Sequence, residues 1–486
     1  MIEQICENKN YKNLFDGSWI ASSDTNYIDI KSPIDDSVVG RVPEVSQNDV
    51  DKVIKNSKNA QRSWRNVPLS ERANILYKAA DLILENADEL SDLMLLEIAK
   101  DKKSALSEVT RTADLVKFTA DSAETIQGQS IQSDSFPGFN RNKISVVSRE
   151  PLGVVLAISP FNYPVNLAAS KIAPALVSGN SVVFKPATSG SLSGLFLAKL
   201  FDLAGVPKGV LNTVTGKGSI IGDYIVTHPG IDFINFTGST DVGCRISKIT
   251  TMVPLLMELG GKDAAIVLED ADLDLTAKNI VSGGFSYSGQ RCTAVKRILV
   301  IDSVADKLID KVKNEMTKLK VGNPLEIDAD VVPLINTKAA DYVSELIDDA
   351  TKKGAIIVKG GKREGNLIYP TLFDKVTTDM RIAWEEPFGP VLPVIRVKDK
   401  DEAISIANKS EYGLQSSVFT NDINDAFYVS DRLEVGSVQI NNKPERGPDH
   451  FPFLGVKASG IGTQGIKYSI ESMTRLKATV INLKRD

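Results

Sequence analysis

Residues 152–185, LGVVLAISPFNYPVNLAASKIAPALVSGNSVVFK, decide the fold class. LGVVLAI is too short and too rich in branched apolar residues for a helix of its own, and it breaks at Ser159 and Pro160. VNLAASKIAPALVSG follows with helical composition and ends at a glycine, and SVVF is apolar again. An apolar strand, a crossover helix and a second apolar strand make a βαβ unit, in which the strands are parallel and buried on both faces.

The pattern continues outward in both directions. VLNTV, DFINF and PLLME repeat the short apolar run as far as residue 258, and a cofactor-binding unit closes near 260. A second alternation starts with AIVL at 265–268 and includes RILVI, VLPVIRV, SSVFT and GSVQI, with helices at about 303–319 and 401–409. Upstream, Val50, Val53, Ile54 and Ser57 recur at helical spacing, as do Ile75, Leu76, Ala79, Leu82 and Ile83, so roughly the first 150 residues read largely as an outer helical layer. QGQSIQSDSFPGFNRNKISVVSRE at 127–150 has few helix formers and reads as a β-hairpin excursion. The tail GIKYSIESMTRLKATVINL ends in a β-prone run, expected to complete a sheet in a neighbouring subunit. The expected fold is α/β: two doubly wound domains with parallel sheets plus a small β oligomerisation element. The boundaries are 1–125 with 150–260 for the cofactor domain, 261–440 for the catalytic domain, and 126–149 with 464–486 for the oligomerisation element.

Composition narrows the function. With 62 acidic and 57 basic residues, the net charge of −5 and the lack of a long basic run point away from nucleic acid and anionic lipid. No apolar stretch approaches the roughly 20 residues of a membrane span, and MIEQICENKN is too polar for a signal-peptide core, so a cytoplasmic protein is expected. Cys6, Cys244 and Cys292 contain no CxxC pair and are expected as reduced thiols, not disulfides or zinc ligands. His228 and His450 stand far apart, which argues against a histidine-based triad or metal cluster.

Three residues combine into a chemistry. Cys292 lies in FSYSGQRC, a turn-prone loop before RILVI, where a thiol can add to an aldehyde carbonyl. Glu258 ends an apolar run just before Gly260 and Gly261, so its carboxylate emerges where a strand stops and can take a proton from water attacking a thioester. Asn162, between Pro160 and Pro164 in SPFNYPVN, can donate its amide to an oxyanion. Taken singly, each has an ordinary alternative as a small buried hydrophobe, a solvated surface acid or a turn asparagine. FTGSTDVG at 236–243 starts a helix after DFINF and suits a phosphate, as does GKGSIIG at 216–222, although neither is a G-x-G-x-x-G loop.

These residues together resemble the aldehyde dehydrogenase superfamily across essentially the whole chain. MELGGKDA at 257–264 is similar to its glutamate signature and FSYSGQRC at 285–292 to its cysteine signature, with FNYP, FTGST, EEPFGP at 385–390 and PFLGVKASG at 452–460 in family order. Leu454 departs from the glycine that many members carry. The resemblance implies Cys292 as nucleophile, Glu258 as base and Asn162 as oxyanion donor. It implies a nicotinamide cofactor with Lys185 and Glu386 on its ribose hydroxyls, Ser239 at the pyrophosphate and Phe388 near the nicotinamide. Ser159, Pro160, Thr188, Gly218, Asp223, Thr237, Gly238 and Leu259 complete the implied cofactor set. Thr188 stands where many NAD-preferring relatives have glutamate; a carboxylate there would repel a 2′-phosphate, so NADP is expected ahead of NAD.

Stretches such as AISPFNYPVNLA, SKIAPAL, YSGQRCTAVKR and INNKPERG resemble the branch of that superfamily that oxidises glyceraldehyde 3-phosphate to 3-phosphoglycerate without consuming inorganic phosphate. By that resemblance Arg111, Tyr163, Arg291 and Arg446 hold the substrate phosphate, Thr293 joins Asn162 and Cys292 at the substrate, and the assembly is a homotetramer, a dimer of dimers. Alternatives are another anionic aldehyde such as succinate semialdehyde, an acyl-transferring relative that uses coenzyme A, and a scaffold that kept the fold without turnover. Glu258 speaks against the coenzyme A route, which needs no water-activating base.

Overall fold

Alternation along each central strand sends neighbouring side chains to two different cores. In a computed structural model, which describes residues 4–21 and 26–484, Val155, Ala157, Val182 and Phe184 pack toward helices Asn166–Val177 and Ser191–Leu203. Val154, Leu156 and Val183 point the other way, to Val50, Val53 and Ile54 of helix Gln47–Trp64 and to Ile221, Ile225 and Ile246. With both faces covered, no strand position here needs a polar residue, and the apolar runs follow.

Spatially, this sheet runs Leu211–Thr213, Ser181–Lys185, Val154–Ile158, Phe233–Thr237, Leu255–Glu258, Gly460–Ile461. The first five strands are parallel. Strand order reverses between Val154–Ile158 and Phe233–Thr237, so their carboxyl ends part and leave a crevice at the switch point. The last strand is antiparallel, with Gly460 opposite Glu258. A Cβ on Gly460 would lie 2.4 Å from the Met257 carbonyl oxygen, so only glycine lets the 452–460 segment lie this close to the glutamate.

A second, seven-stranded sheet runs Ile356–Lys359, Thr371–Asp374, Val391–Val397, Arg297–Ile301, Ala264–Val267, Gln415–Phe419, Ser437–Ile440, parallel except at its first strand. The doubly wound α/β architecture expected from the apolar runs is therefore present twice. Among the described residues, no helix is long and apolar enough to cross a membrane.

Three readings need correction. Residues before Gln47 are not helical: Cys6–Glu7, Asn10–Tyr11, Val38–Pro43 and Tyr27–Lys31 form a four-stranded sheet, and Asn13–Phe15 pairs with Ser18–Ile20. Such short, half-polar strands depend on partners distant in sequence and carry little periodicity of their own. The 464–486 segment is not all strand, because Ile466–Ser472 is a helix against Asn166–Val177. The terminal strand Thr474–Asn482 pairs with Lys143–Pro151 of its own chain, which also pairs with Gln129–Gln132, so these strands form one three-stranded sheet with open outer edges.

Candidate active site

Glu258 is the last residue of its strand, and a short link carries the chain into Ala264–Val267 of the other sheet. Arg297 stands opposite Ala264 in that sheet, and the Lys296 N–H donates to the Asp263 carbonyl at 3.0 Å. The loop carrying Cys292 is thereby set beside the link from Glu258. The carboxyl end of one sheet and the amino end of the other meet at these two residues.

That loop is held by polar anchors. Tyr287 and Ser288 take left-handed backbone, with φ of 48° and 55°, which non-glycine residues keep only where surroundings enforce it. The enforcement is visible: Ser288 Oγ donates to the Val332 carbonyl at 2.7 Å and accepts from its N–H at 2.8 Å. Gln290 Oε1 accepts from Ile335 N at 2.9 Å, and the Tyr287 hydroxyl donates to the Ile98 carbonyl at 3.1 Å.

Burial pushes the Cys292 thiol up to about 11, with the charges of Glu258, Asp263 and Glu386 adding to the rise and Lys296 opposing it. Lys296 Nζ donates to the Cys292 carbonyl and lies 3.0 Å from Glu386 Oε1, joining the nucleophile loop to the EEPFGP segment. Asn162 is buried, and its Nδ2 donates to the Gln290 carbonyl at 2.9 Å, which leaves its second N–H for another acceptor.

The Asn162 loop is tied down by residues that sequence reasoning missed. Lys100 Nζ donates to the Asn162 carbonyl at 3.0 Å, lies 3.5 Å from the Tyr163 ring centre and pairs with buried Glu108. Glu108 Oε1 accepts from Val165 and Asn166 N–H, both at 3.0 Å, capping the helix that follows.

Glu258 lies in a buried network. Thr237 Oγ1 donates to Glu258 Oε2 at 2.9 Å and accepts from Lys171 Nζ at 2.7 Å. Burial pulls the Lys171 ammonium down to about 7, against the opposing charge of Glu258. Lys171 was also missed, and the signal was present: it is the one charged residue in VNLAASKIAPALV, whose helix Asn166–Val177 is buried throughout. The hydroxyl of Thr237, a residue expected at the cofactor, belongs to this network.

The expected phosphate-binding arginines divide between two cavities. Arg111, Tyr163 and Arg291 line one of about 360 Å³. Arg291 donates through Nη2 to the Gly283 carbonyl, and its Nε is buried without a hydrogen-bond partner. Arg446 lines the other, of about 420 Å³, together with Asp449. It places Nη1 2.9 Å from Glu258 Oε1 and donates through Nη2 to Gln464 Oε1 at 2.8 Å. Arg111 grips Asp449 through Nε and Nη2, each at 2.7 Å.

The switch-point crevice fits a dinucleotide. Ser159 and Pro160 follow one bordering strand, and Gly238 and Ser239 follow the other. Helix Thr240–Ile249 begins at Ser239 with no side chain capping it, so its N–H groups face outward for an anion. Ser159 Oγ is buried without a partner, and burial lowers the Lys185 ammonium to about 8. Gly260 makes room for Glu386, whose Oε2 would lie 2.2 Å from a Cβ there, and Glu386 Oε1 accepts from Gly261 N at 3.2 Å. Phe388 meets Phe161 edge-on at 5.9 Å, one residue from Asn162. Thr188 is half-buried, with its hydroxyl 3.5 Å from the Gly216 carbonyl, close to Gly218 at the start of the next helix. Leu259 and Thr293 are buried next to Glu258 and Cys292. Asp223 is exposed and gripped by Arg245. Among the described residues, no group of three or more His, Cys, Asp or Glu is placed to hold a metal.

Known proteins are similar to the chain over nearly its whole length. It is 57% identical over 477 residues to an NADP-dependent glyceraldehyde-3-phosphate dehydrogenase of Streptococcus equinus, spanning 98% of this chain and 100% of that one. A protein of the same description from Pisum sativum is 53% identical over 485 residues, 99% of this chain and 97% of that one. The crystal structure of an NADP-dependent glyceraldehyde-3-phosphate dehydrogenase from Bacillus halodurans complexed with NADP superposes with a TM-score of 0.96 at 56% identity, covering 98% and 100%. Residues 19–479 match the aldehyde dehydrogenase family, and the chain belongs to it.

Proposed function

We propose that the protein oxidises D-glyceraldehyde 3-phosphate to 3-phosphoglycerate with NADP and water, through a thioester on Cys292 and without inorganic phosphate. The observation that carries this reading is the cavity lined by Arg111, Tyr163 and Arg291, the last of them the chain neighbour of Cys292. Guanidinium groups bond a phosphate dianion bidentately, and a cation beside the thiol serves little purpose for an apolar aldehyde. Full-length relatives described as NADP-dependent glyceraldehyde-3-phosphate dehydrogenase support it.

Cys292 Sγ gives up its proton to water and adds as the thiolate to the aldehyde carbon, and the free N–H of Asn162 receives the resulting oxyanion. Ser159, Lys185, Ser239 and Glu386 would hold NADP in the crevice, and the cofactor would supply the hydride acceptor that the adduct needs to become a thioester. Glu258 then accepts a proton from water as the water oxygen bonds to the carbonyl carbon. The C–S bond breaks, the carboxylic acid leaves, and the sulfur regains its charge. Thr188 places no carboxylate near a 2′-phosphate. The same reading makes the protein a cytoplasmic homotetramer, in keeping with three free thiols and with apolar side chains exposed on the three-stranded sheet.

The test follows reduced cofactor with glyceraldehyde 3-phosphate and NADP in phosphate-free buffer. Turnover is expected in the wild type, abolished by Cys292→Ser and weakened mainly through KM by Arg291→Ala. Turnover with succinate semialdehyde alone would remove the phosphate-binding role of the arginines.

A further inference from the structure

Glu258 is engaged before any substrate arrives. Arg446 Nη1 lies 2.9 Å from Oε1 and 3.0 Å from Oε2, and Thr237 Oγ1 donates to Oε2 at 2.9 Å. Both hydrogen bonds fall on Oε2, while Oε1 has no hydrogen-bond partner and faces the guanidinium. The pair is also dry, with side-chain exposures of 13% for Arg446 and 3% for Glu258. With its charge matched by Arg446 and Oε2 already accepting two hydrogen bonds, the carboxylate is tied to the guanidinium. Separating such a pair is strongly unfavourable unless the guanidinium gains another anion.

The other edge of Arg446 shows where that anion would be met. Arg446 Nε lies 3.7 Å from Asp449 Oδ1, and the same carboxylate clasps Arg111. Glu258, Arg446, Asp449 and Arg111 thus form a row of alternating charge, running from the base to the cavity where Arg291 holds an unpartnered Nε. An anion bound at the Arg111 end changes the balance along the whole row. A phosphate dianion has twice the charge of the Glu258 carboxylate and can accept both edges of a guanidinium.

We propose that Arg446 is a substrate-operated latch on the general base. An acyl group bearing a phosphate draws Arg446 off Glu258, and the freed carboxylate takes the proton of the hydrolytic water. An acyl group without an anion leaves the pair closed, so its thioester forms but hydrolyses slowly. Selectivity for phosphorylated aldehydes then operates at hydrolysis as well as at binding. This rests on the proposed substrate and deepens it.

The experiment compares glyceraldehyde 3-phosphate with unphosphorylated glyceraldehyde, with NADP, by rapid mixing. In the wild type, glyceraldehyde should give a burst of reduced cofactor equal to the number of sites and then a slow steady state. In Arg446→Gln that steady state should rise by roughly tenfold while KM for glyceraldehyde 3-phosphate increases. An unchanged or slower steady state in a variant that retains its burst would overturn the latch, since a residue that merely positions Glu258 slows hydrolysis of both acyl groups. If the variant yields no burst, the wild type with glyceraldehyde plus phosphite dianion decides: acceleration supports the latch and no acceleration refutes it. Failure of the substrate reading is separate, because glyceraldehyde 3-phosphate itself would then give no turnover.

Discussion

A thiol pushed up to about 11 leaves only on the order of one molecule in ten thousand as thiolate at neutral pH. Burial is the main cause and Lys296 the main counterweight, so two consequences follow for the ligand-free protein. Alkylation of Cys292 by iodoacetamide should climb about tenfold per pH unit through the neutral range and level off only near 11. Lys296→Met removes the main charge that favours the thiolate, so it should move the plateau higher and slow alkylation at any fixed pH. A plateau near 8 in the wild type would show that burial does not control this thiol. At this scale, Cys292, Glu258 and Asn162 were legible because each sits in a short motif with its own turn chemistry. The partner of Glu258 was not legible: Arg446 lies 188 residues further along the chain, and spacing says nothing about which anion it meets.

One buried ion pair positions a whole element. Lys100 and Glu108 are almost completely buried, and between them they bind the Asn162 carbonyl and cap helix Asn166–Val177. Lys100→Met would leave Glu108 charged and unpaired in the interior, a loss of about 3–5 kcal/mol. Denaturant unfolding measures that loss, and kcat should fall with it because the Asn162 loop loses its anchor. A loss below about 1 kcal/mol would mean that the Glu108 cap alone suffices. The central strands were readable because burial on both faces makes them continuous apolar runs. The strands between Cys6 and Pro43 were not, since they are short and half polar and are stabilised by pairing across long sequence separations. Lys100 escaped for the same reason: its partners Asn162 and Tyr163 come from a loop far along the chain.

The three-stranded sheet leaves one subunit with more apolar surface than it covers. Thr474–Asn482 is hydrogen-bonded only along the side facing Lys143–Pro151, so its outer edge offers unpaired N–H and C=O groups. Val480 stands opposite Ser145, which stands opposite Ile131, so Val480 and Ile131 share a face, with Leu476 further along the same strand face. These three are 54%, 45% and 59% exposed. Leaving them in water forgoes roughly 25 cal/mol for each Å² that a partner would cover, and a nine-residue edge strand adds the risk of uncontrolled pairing. A second subunit meeting this face would remove both liabilities, which is the physical basis for the proposed tetramer. Leu476→Asp combined with Val480→Asp places two charges on the face without touching the catalytic crevice. Gel filtration should then shift from a multimer toward the 52.7 kDa subunit, while the burst of reduced cofactor per site persists. A wild type that already elutes as the single subunit would refute the assembly. A variant that keeps the wild-type size would show that the interface lies elsewhere.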